Sequence, residues 1–400
     1  MDDLQDSLVE VPINPAVLEW AIDRAGLSIE QLAKNFVDTN QIRSWQNRKA
    51  LPTLAQAETL AHKLRIPFPV LLLDDPPALK LPIPDLRTVD GRSLIKPSTE
   101  FVDTVNDAVV RQDWYRDYVI SEGGKPLTFV GQFNPKHSAN IIAKSIRTVL
   151  LLDERLRLQC RTWKDFFLKF VQRADAAGII VMRNSVVRHD NTRSLEVEEF
   201  RGFAISDSYA PLVFINSRDA KAAQIFTLAH ELAHIWLGAT GISNPSPVRR
   251  NEALRVSLEH TCNDIAAEVL VPRESFLSLW SPSKTTDANV KQLAAYYRVS
   301  SIVALRRAND LGKISAEEFQ AKAKVEYARF QAIEEKERAK EETEESKGNF
   351  WNLFAMRNGQ RFTDAVATAA RQGAIPFIYA SNLLGVKAAT LENYIKRFQV

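Results

Sequence analysis

The chain has 400 residues, with 52 Lys and Arg against 49 Asp and Glu, a net charge of +3, and 45% hydrophobic residues. This length gives two or three domains with ample core, and so small a net charge excludes a uniformly basic nucleic-acid binder: any such patch is local. Two cysteines, Cys160 and Cys262, are too few for a disulfide framework, and the absence of a secretory signal or an apolar run of membrane length leads to the expectation of a cytoplasmic protein with no membrane contact.

The first seventy-odd residues predict five short helices: Pro15 to Arg24, Ser28 to Phe36, Asn40 to Arg48, Leu54 to Arg65 and Pro67 to Leu73. Gly26 separates the first two, Asp38 and Thr39 supply a cap, and Pro52-Thr53 opens the fourth. Leu18, Ala21, Ile22, Leu32, Ala33, Phe36, Ile42, Trp45, Leu60, Ala61 and Leu64 form the expected core. Short helices joined by tight turns suggest a helix-turn-helix. Its third helix offers Asn40, Gln41, Arg43, Ser44, Asn47, Arg48 and Lys49, a polar and basic face suited to base edges and phosphates of double-stranded DNA. The run from Ile42 to Thr53 (IRSWQNRKALPT) resembles the recognition-helix end of Cro/repressor-type (XRE) domains. Many such domains act as dimers, so a homodimer is compatible with this reading. The first domain is assigned to residues 1–75.

Residues 76–98, rich in Pro and Asp, read as a linker. Helical periodicity follows in Phe101 to Val119, Ala139 to Leu152 and Trp163 to Ala177. Gly178 to Arg183 and Glu199 to Ser206 read as strands of a small, antiparallel sheet, with Leu212 to Asn216 as a further strand. Together these predict an α+β, mostly helical chain: a five-helix bundle, a core with a small sheet over 99–314, and a helical C-terminal region.

The segment His230-Glu231-Leu232-Ala233-His234 carries the chemistry. On a helix, two imidazoles four residues apart lie about 40° apart around the axis and can share one ion. Glu231 beside them is placed as general base. Ser217 is the expected cap of this helix and Gly238 its stop. A third ligand is sought among Glu252, Glu259, His260, Asp264 and Glu268, on a helix predicted from Arg250 to Leu270. Glu259 and Asn263 share one face, whereas Glu268 lies about 180° from Glu259. Glu259 therefore fits as ligand, and Asn263 as acceptor for the free ring N–H of a ligand histidine. Zinc held this way lowers the pKa of water toward 7, with Glu231 taking the proton. The strand Leu212 to Asn216 is a candidate for pairing with an extended substrate, and Tyr209 or His260 for stabilising an oxyanion.

The stretch from Phe203 through Pro272 resembles the ImmA/IrrE-type zinc metallopeptidases. The likeness rests on Arg201-Gly202-Phe203-Ala204-Ile205, on Val213-Phe214-Ile215-Asn216, on the His-Glu-x-x-His motif and on the block Glu259 to Pro272 (EHTCNDIAAEVLVP). Cys262 and Ile265 depart from its pattern at positions read as packing. The resemblance implies a zincin-like peptidase core, His230, His234 and Glu259 as zinc ligands, Glu231 as base, and cleavage of a transcriptional repressor in stress, phage or mobile-element responses. Downstream, Leu293 to Ala308 and Ala380 to Phe398 echo helix-turn-helix elements that accompany this family, with core helices as the plainer reading. Residues 315–348 read as a charged helical spacer and 349–400 as a small helical domain.

The expectation is a regulatory zinc endopeptidase, brought by its DNA-binding domain to a protein partner, a repressor or an antitoxin. The alternative is a helix-turn-helix regulator or antitoxin whose zinc domain is structural or sensory.

Overall fold

The computed structural model describes residues 9–77, 81–84, 97–243, 258–326, 328–329 and 350–398. Most of the expected linker, the acidic and basic run 334–345 and Glu252 lie outside the described residues. The chain divides into two compact units, Met1–Lys80 with Pro97–Val102, and Leu81–Lys96 with Asp103–Val400. No described helix is long and apolar enough to cross a membrane.

The first unit holds α1 (Pro15–Ala25), α2 (Ile29–Ala33), α3 (Thr39–Gln46) and α4 (Leu54–Leu64). The expected fifth helix is a 3-10 segment, Phe68–Leu72. Its two prolines, Pro67 and Pro69, each lack an N–H to donate, which leaves little for an α-helical ladder here. Each of the four α-helices starts on a side-chain cap. Asn14 accepts from Ala16 N–H, and Asp38 accepts from Asn40 N–H. Ser28 with Gln31, and Thr53 with Gln56, form reciprocal capping boxes. Leu18, Ala21, Leu32, Ile42, Trp45, Leu60 and Leu64 make the core, with Ile22 and Phe36 partly buried against it.

The second unit is built on a four-stranded sheet from β1 (Ile180–Asn184), β4 (Gly202–Ile205), β5 (Leu212–Asn216) and β6 (Gly241–Ser243), in the order β1-β5-β4-β6. A hairpin of β2 (Val186–Val187) and β3 (Asp190–Ser194) stands apart from it. The sheet is mixed rather than antiparallel, because β1 pairs parallel with β5. That pairing suits two strands that are buried on both faces and so read as continuous apolar runs. Five helices surround the sheet in chain order: α5 (Thr99–Ser121), α6 (Ala139–Val149), α7 (Glu154–Leu158), α8 (Trp163–Ala176) and α9 (Lys221–Trp236). Next come α10 (Leu258–Leu270), α11 (Arg273–Leu279), α12 (Thr286–Tyr297) and α13 (Ser301–Asp310), and then a helical run over 316–326 (α14).

Helix α9 starts at Lys221, not at Ser217. Ala220 stands at its N-cap, and the Gln224 side chain donates to the Ser217 and Asp219 carbonyls instead. Gly238, in the left-handed region at φ +68°, closes the helix as expected.

Three guanidinium groups hold the C-terminus of α10. Arg147 donates to Glu268 O (2.5 Å), Arg157 to Leu270 O (2.8 Å) and Arg307 to Val271 O (2.9 Å). The last carbonyls of a helix have no partner within it and carry partial negative charge, so buried cations satisfy both needs. Arg157 also donates to Tyr297 O (2.7 Å), and burial pulls its pKa down to about 10, still charged at neutral pH. Glu268, nine residues after Glu259 on α10 and so turned to the opposite face, pairs there with Arg307.

Residues 350–398 lie in this same unit as α15 (Phe350–Asn358), α16 (Gln360–Arg371), α17 (Phe377–Leu384) and α18 (Ala388–Phe398). They cover β1. A Cβ on Gly359, at φ +81°, would come within 3.0 Å of Ile180 Cγ2, and Arg361 donates to Asp175 O (2.8 Å).

Candidate metal centre

Helix α9 lies on the sheet with Phe226, Ala229, Ala233 and Trp236 buried, and the four-residue spacing of its histidines turns both rings to the same side. Helix α10 packs across that side and brings Glu259 from its first turn. The two Nε2 atoms of His230 and His234 are 3.1 Å apart. His230 Nε2 lies 3.2 Å from Glu259 Oε2, and His234 Nε2 lies 3.1 Å from Glu259 Oε1. Asn263, one turn on from Glu259, places Oδ1 3.1 Å from His230 Nδ1. The acceptor role of that oxygen fixes the tautomer, with the proton on Nδ1 and a bare lone pair on Nε2.

This donor set fits zinc. Bonds of 2.0–2.1 Å in a tetrahedral arrangement put neighbouring donors about 3.3 Å apart. The separations found are 3.1 and 3.2 Å. Two buried ring nitrogens and a carboxylate aimed at one point are electron-rich groups that a cation reconciles. Burial raises the pKa of the Glu259 carboxyl, but the neighbouring His230 and His234 prevail and bring it down to about 2.

Glu231 is fully buried beside the cluster. The Ser243 hydroxyl of β6 donates to its Oε1, while Oε2 has no hydrogen-bond partner among the described residues. Burial pushes its pKa up to about 8, against the opposing pull of His234 and Ser243. The approach of this side chain to β4 requires glycine at position 202. A Cβ there would come within 2.7 Å of Thr227 Cγ2 and 2.9 Å of both Glu231 Oε1 and Phe214 O.

His230, His234, Glu259, Asn263 and Glu231 are thus brought together, and other expected site residues are not. Asn216 is buried at the end of β5, donating to Phe200 O and accepting from Arg218 N–H, so its side chain builds the turn. Strand β5 cannot add a substrate strand, because β1 and β4 flank it on both sides. The edges are β1 and β6, and Ile242 N–H of β6 donates to Pro84 O (3.0 Å). Tyr209 lies in the β4–β5 connection, its backbone N–H held by Asp207, and His260 turns its Nδ1 to Asp264 at 3.2 Å.

Three residues escaped the sequence reading. Ser243 follows no motif. Gly202 stood in the quoted Gly-Phe strand without a stated reason. Cys262, assigned to packing, is fully buried, and its Sγ lies with ring nitrogens of His230 and His234 inside a group spanning 4.8 Å. Its three-residue spacing from Glu259 was the available signal. Burial, then Glu259 and Glu231, push this thiol's pKa well up.

On α3 and the turn after it, Asn40, Arg43, Asn47, Arg48 and Lys49 are exposed, while Gln41 and Ser44 are half-buried. Arg43 reaches Glu30 at 3.7 Å, and the Asn47 amide donates to Arg43 O.

No curated protein matches the chain. Residues 174–309, from the end of α8 through α13 and so including every member of the cluster, match the family profile described as the IrrE N-terminal-like domain, a family of zinc metallopeptidases.

Proposed function

We propose that the second unit is a zinc metallopeptidase that hydrolyses a peptide bond in a protein partner. The observation that carries this reading is the convergence of His230, His234 and Glu259 beside a buried carboxylate, Glu231, one oxygen of which is unengaged among the described residues. When bound, zinc supplies Lewis acidity toward a carbonyl oxygen and toward water. The protein does the rest. Asn263 orients His230 through Nδ1, and the Ser243 hydroxyl holds Oε1 of Glu231. That leaves Glu231 Oε2 to take a proton from the attacking water and return it to the leaving amine.

The exposed polar face of α3 supports a DNA-binding role for the first unit, with Asn40, Gln41, Arg43, Ser44, Asn47, Arg48 and Lys49 facing duplex DNA. Tethering to DNA would raise the local concentration of a DNA-bound substrate, a repressor or an antitoxin-like regulator. The test incubates purified full-length protein, zinc-loaded, with the regulator encoded beside it, in parallel with Glu231→Gln. Cleavage by the wild type alone is the expected result, and cleavage that survives Glu231→Gln removes the base assignment.

A second reading, a DNA-binding regulator or antitoxin whose zinc is structural or sensory, is favoured by the complete burial of His230, Glu231 and His234. It expects DNA binding that is unchanged in Glu231→Gln and lost when zinc is removed.

A further inference from the structure

We propose that Cys262 is a fourth protein donor to the metal, so that the resting site is closed by a thiolate and opens only when that sulfur withdraws. The inference rests on the zinc reading above and adds a residue to it. Cys262 follows Glu259 by three positions on α10, so the carboxylate and the thiol share the face turned to α9. The side chain is fully buried, and its Sγ and ring nitrogens of both histidines all lie within 4.8 Å of one another. Beside the same cluster sits the fully buried Glu231, whose Oε2 has no hydrogen-bond partner among the described residues. The sulfur is part of the hydrophobic core and at the same time borders the two imidazoles and the carboxylates of Glu259 and Glu231.

The chemistry balances without any further reactant. The S–H bond breaks, a sulfur–metal bond forms, and the proton leaves to the buffer, as in any thiolate site. Two imidazoles, a carboxylate and a thiolate complete four protein donors, the arrangement of a closed zinc site, whereas a hydrolytic one keeps a position free. The sulfur moves on a single torsion, so the same centre can be closed at rest and open in use. Cys160, the other cysteine, is engaged elsewhere: its Sγ donates to Leu156 O.

The experiment loads the full-length protein with cobalt(II) and records its absorption spectrum. Expected are the visible d–d bands of a tetrahedral ion together with a sulfur-to-cobalt charge-transfer band in the near ultraviolet. The charge-transfer band should vanish in Cys262→Ala and Cys262→Ser and persist in Cys160→Ala. Competition with a chelator should show zinc affinity falling in Cys262→Ala by at least the roughly 10- to 100-fold that loss of an outer hydrogen-bond partner brings. If the Cys262 variants fail to fold, X-ray absorption of the zinc-loaded wild type decides, with one sulfur expected at about 2.3 Å. Visible bands without the charge-transfer band, or a band that survives Cys262→Ala, overturn the assignment and leave the zinc site standing. No cobalt bands of either kind would overturn both.

Discussion

The side-chain carbonyl of Asn263 stands 3.1 Å from His230 Nδ1, one helical turn beyond Glu259 on the same face of α10. One helix thus delivers a ligand and the group that orients another ligand. Asn263→Ala frees the imidazole to rotate and to protonate on Nε2. Zinc affinity should fall about 10- to 100-fold, measured by chelator competition, while Asn263→Asp should retain most of it. Equal affinity in the wild type and Asn263→Ala would remove the orienting role.

Gly202→Ala should both destabilise the protein and disturb the base. The new Cβ meets Thr227 Cγ2 at 2.7 Å and Phe214 O at 2.9 Å, closer than side-chain contacts allow, so the packing must shift. Overpacking of this kind costs about 1–3 kcal/mol, to be read from urea denaturation. Because Glu231 Oε1 is the third contact at 2.9 Å, peptide hydrolysis should fall further than the loss of folded protein accounts for.

Arg157→Met should loosen the end of α10. The guanidinium is buried and donates to Leu270 O and Tyr297 O, so its removal leaves buried carbonyls from two helices without donors. The expected loss is about 3 kcal/mol, seen as a lower denaturant midpoint with an unchanged slope. A change below about 0.5 kcal/mol would mean that water replaces the guanidinium at both carbonyls.

Acid should weaken the second unit through His189. Burial, then the charges of Arg357, push its pKa down from 6.5 to about 4. The folded protein therefore keeps this imidazole neutral where the unfolded chain protonates it. Stability is full above pH 6.5 and falls as pH drops from 6.5 toward 4, by up to about 3 kcal/mol. The neutral ring lies 3.0 Å from Leu384 O, at the end of α17. Denaturation midpoints at pH 7 and pH 5 should differ less in His189→Gln than in the wild type, and equal differences would reject the assignment.

The starts of the four α-helices of the first unit could be read to within a residue or so because their signals are local, whereas α2 ends at Ala33 rather than Phe36 and the fifth segment is 3-10. Asp38, Thr53 and Gly26 act within a turn of where they stand, and the spacing of Leu18, Ile42, Trp45 and Leu60 follows the helix period. The sheet was less legible. The apolar runs of β1 and β5 mark burial on both faces, but pairing order and direction depend on contacts distant in sequence, so β5 read as an edge and lies inside. The start of α9 has no side-chain cap and lies at Lys221 rather than after Ser217, whose carbonyl instead accepts from the Gln224 amide.

By itself the sequence determined the candidate donors, because four- and three-residue spacings on a helix fix which side chains share a face whatever packs against them. It therefore put His230 with His234, and Glu259 with Asn263. Only the tertiary structure decided that the two faces meet, that Ser243 from a distant strand engages one oxygen of Glu231, and that Cys262 stands within the cluster. The physical reason is that helical periodicity is a property of the backbone alone. The approach of α10 to α9 is set instead by the shape of the whole core and by the three arginines that anchor its far end.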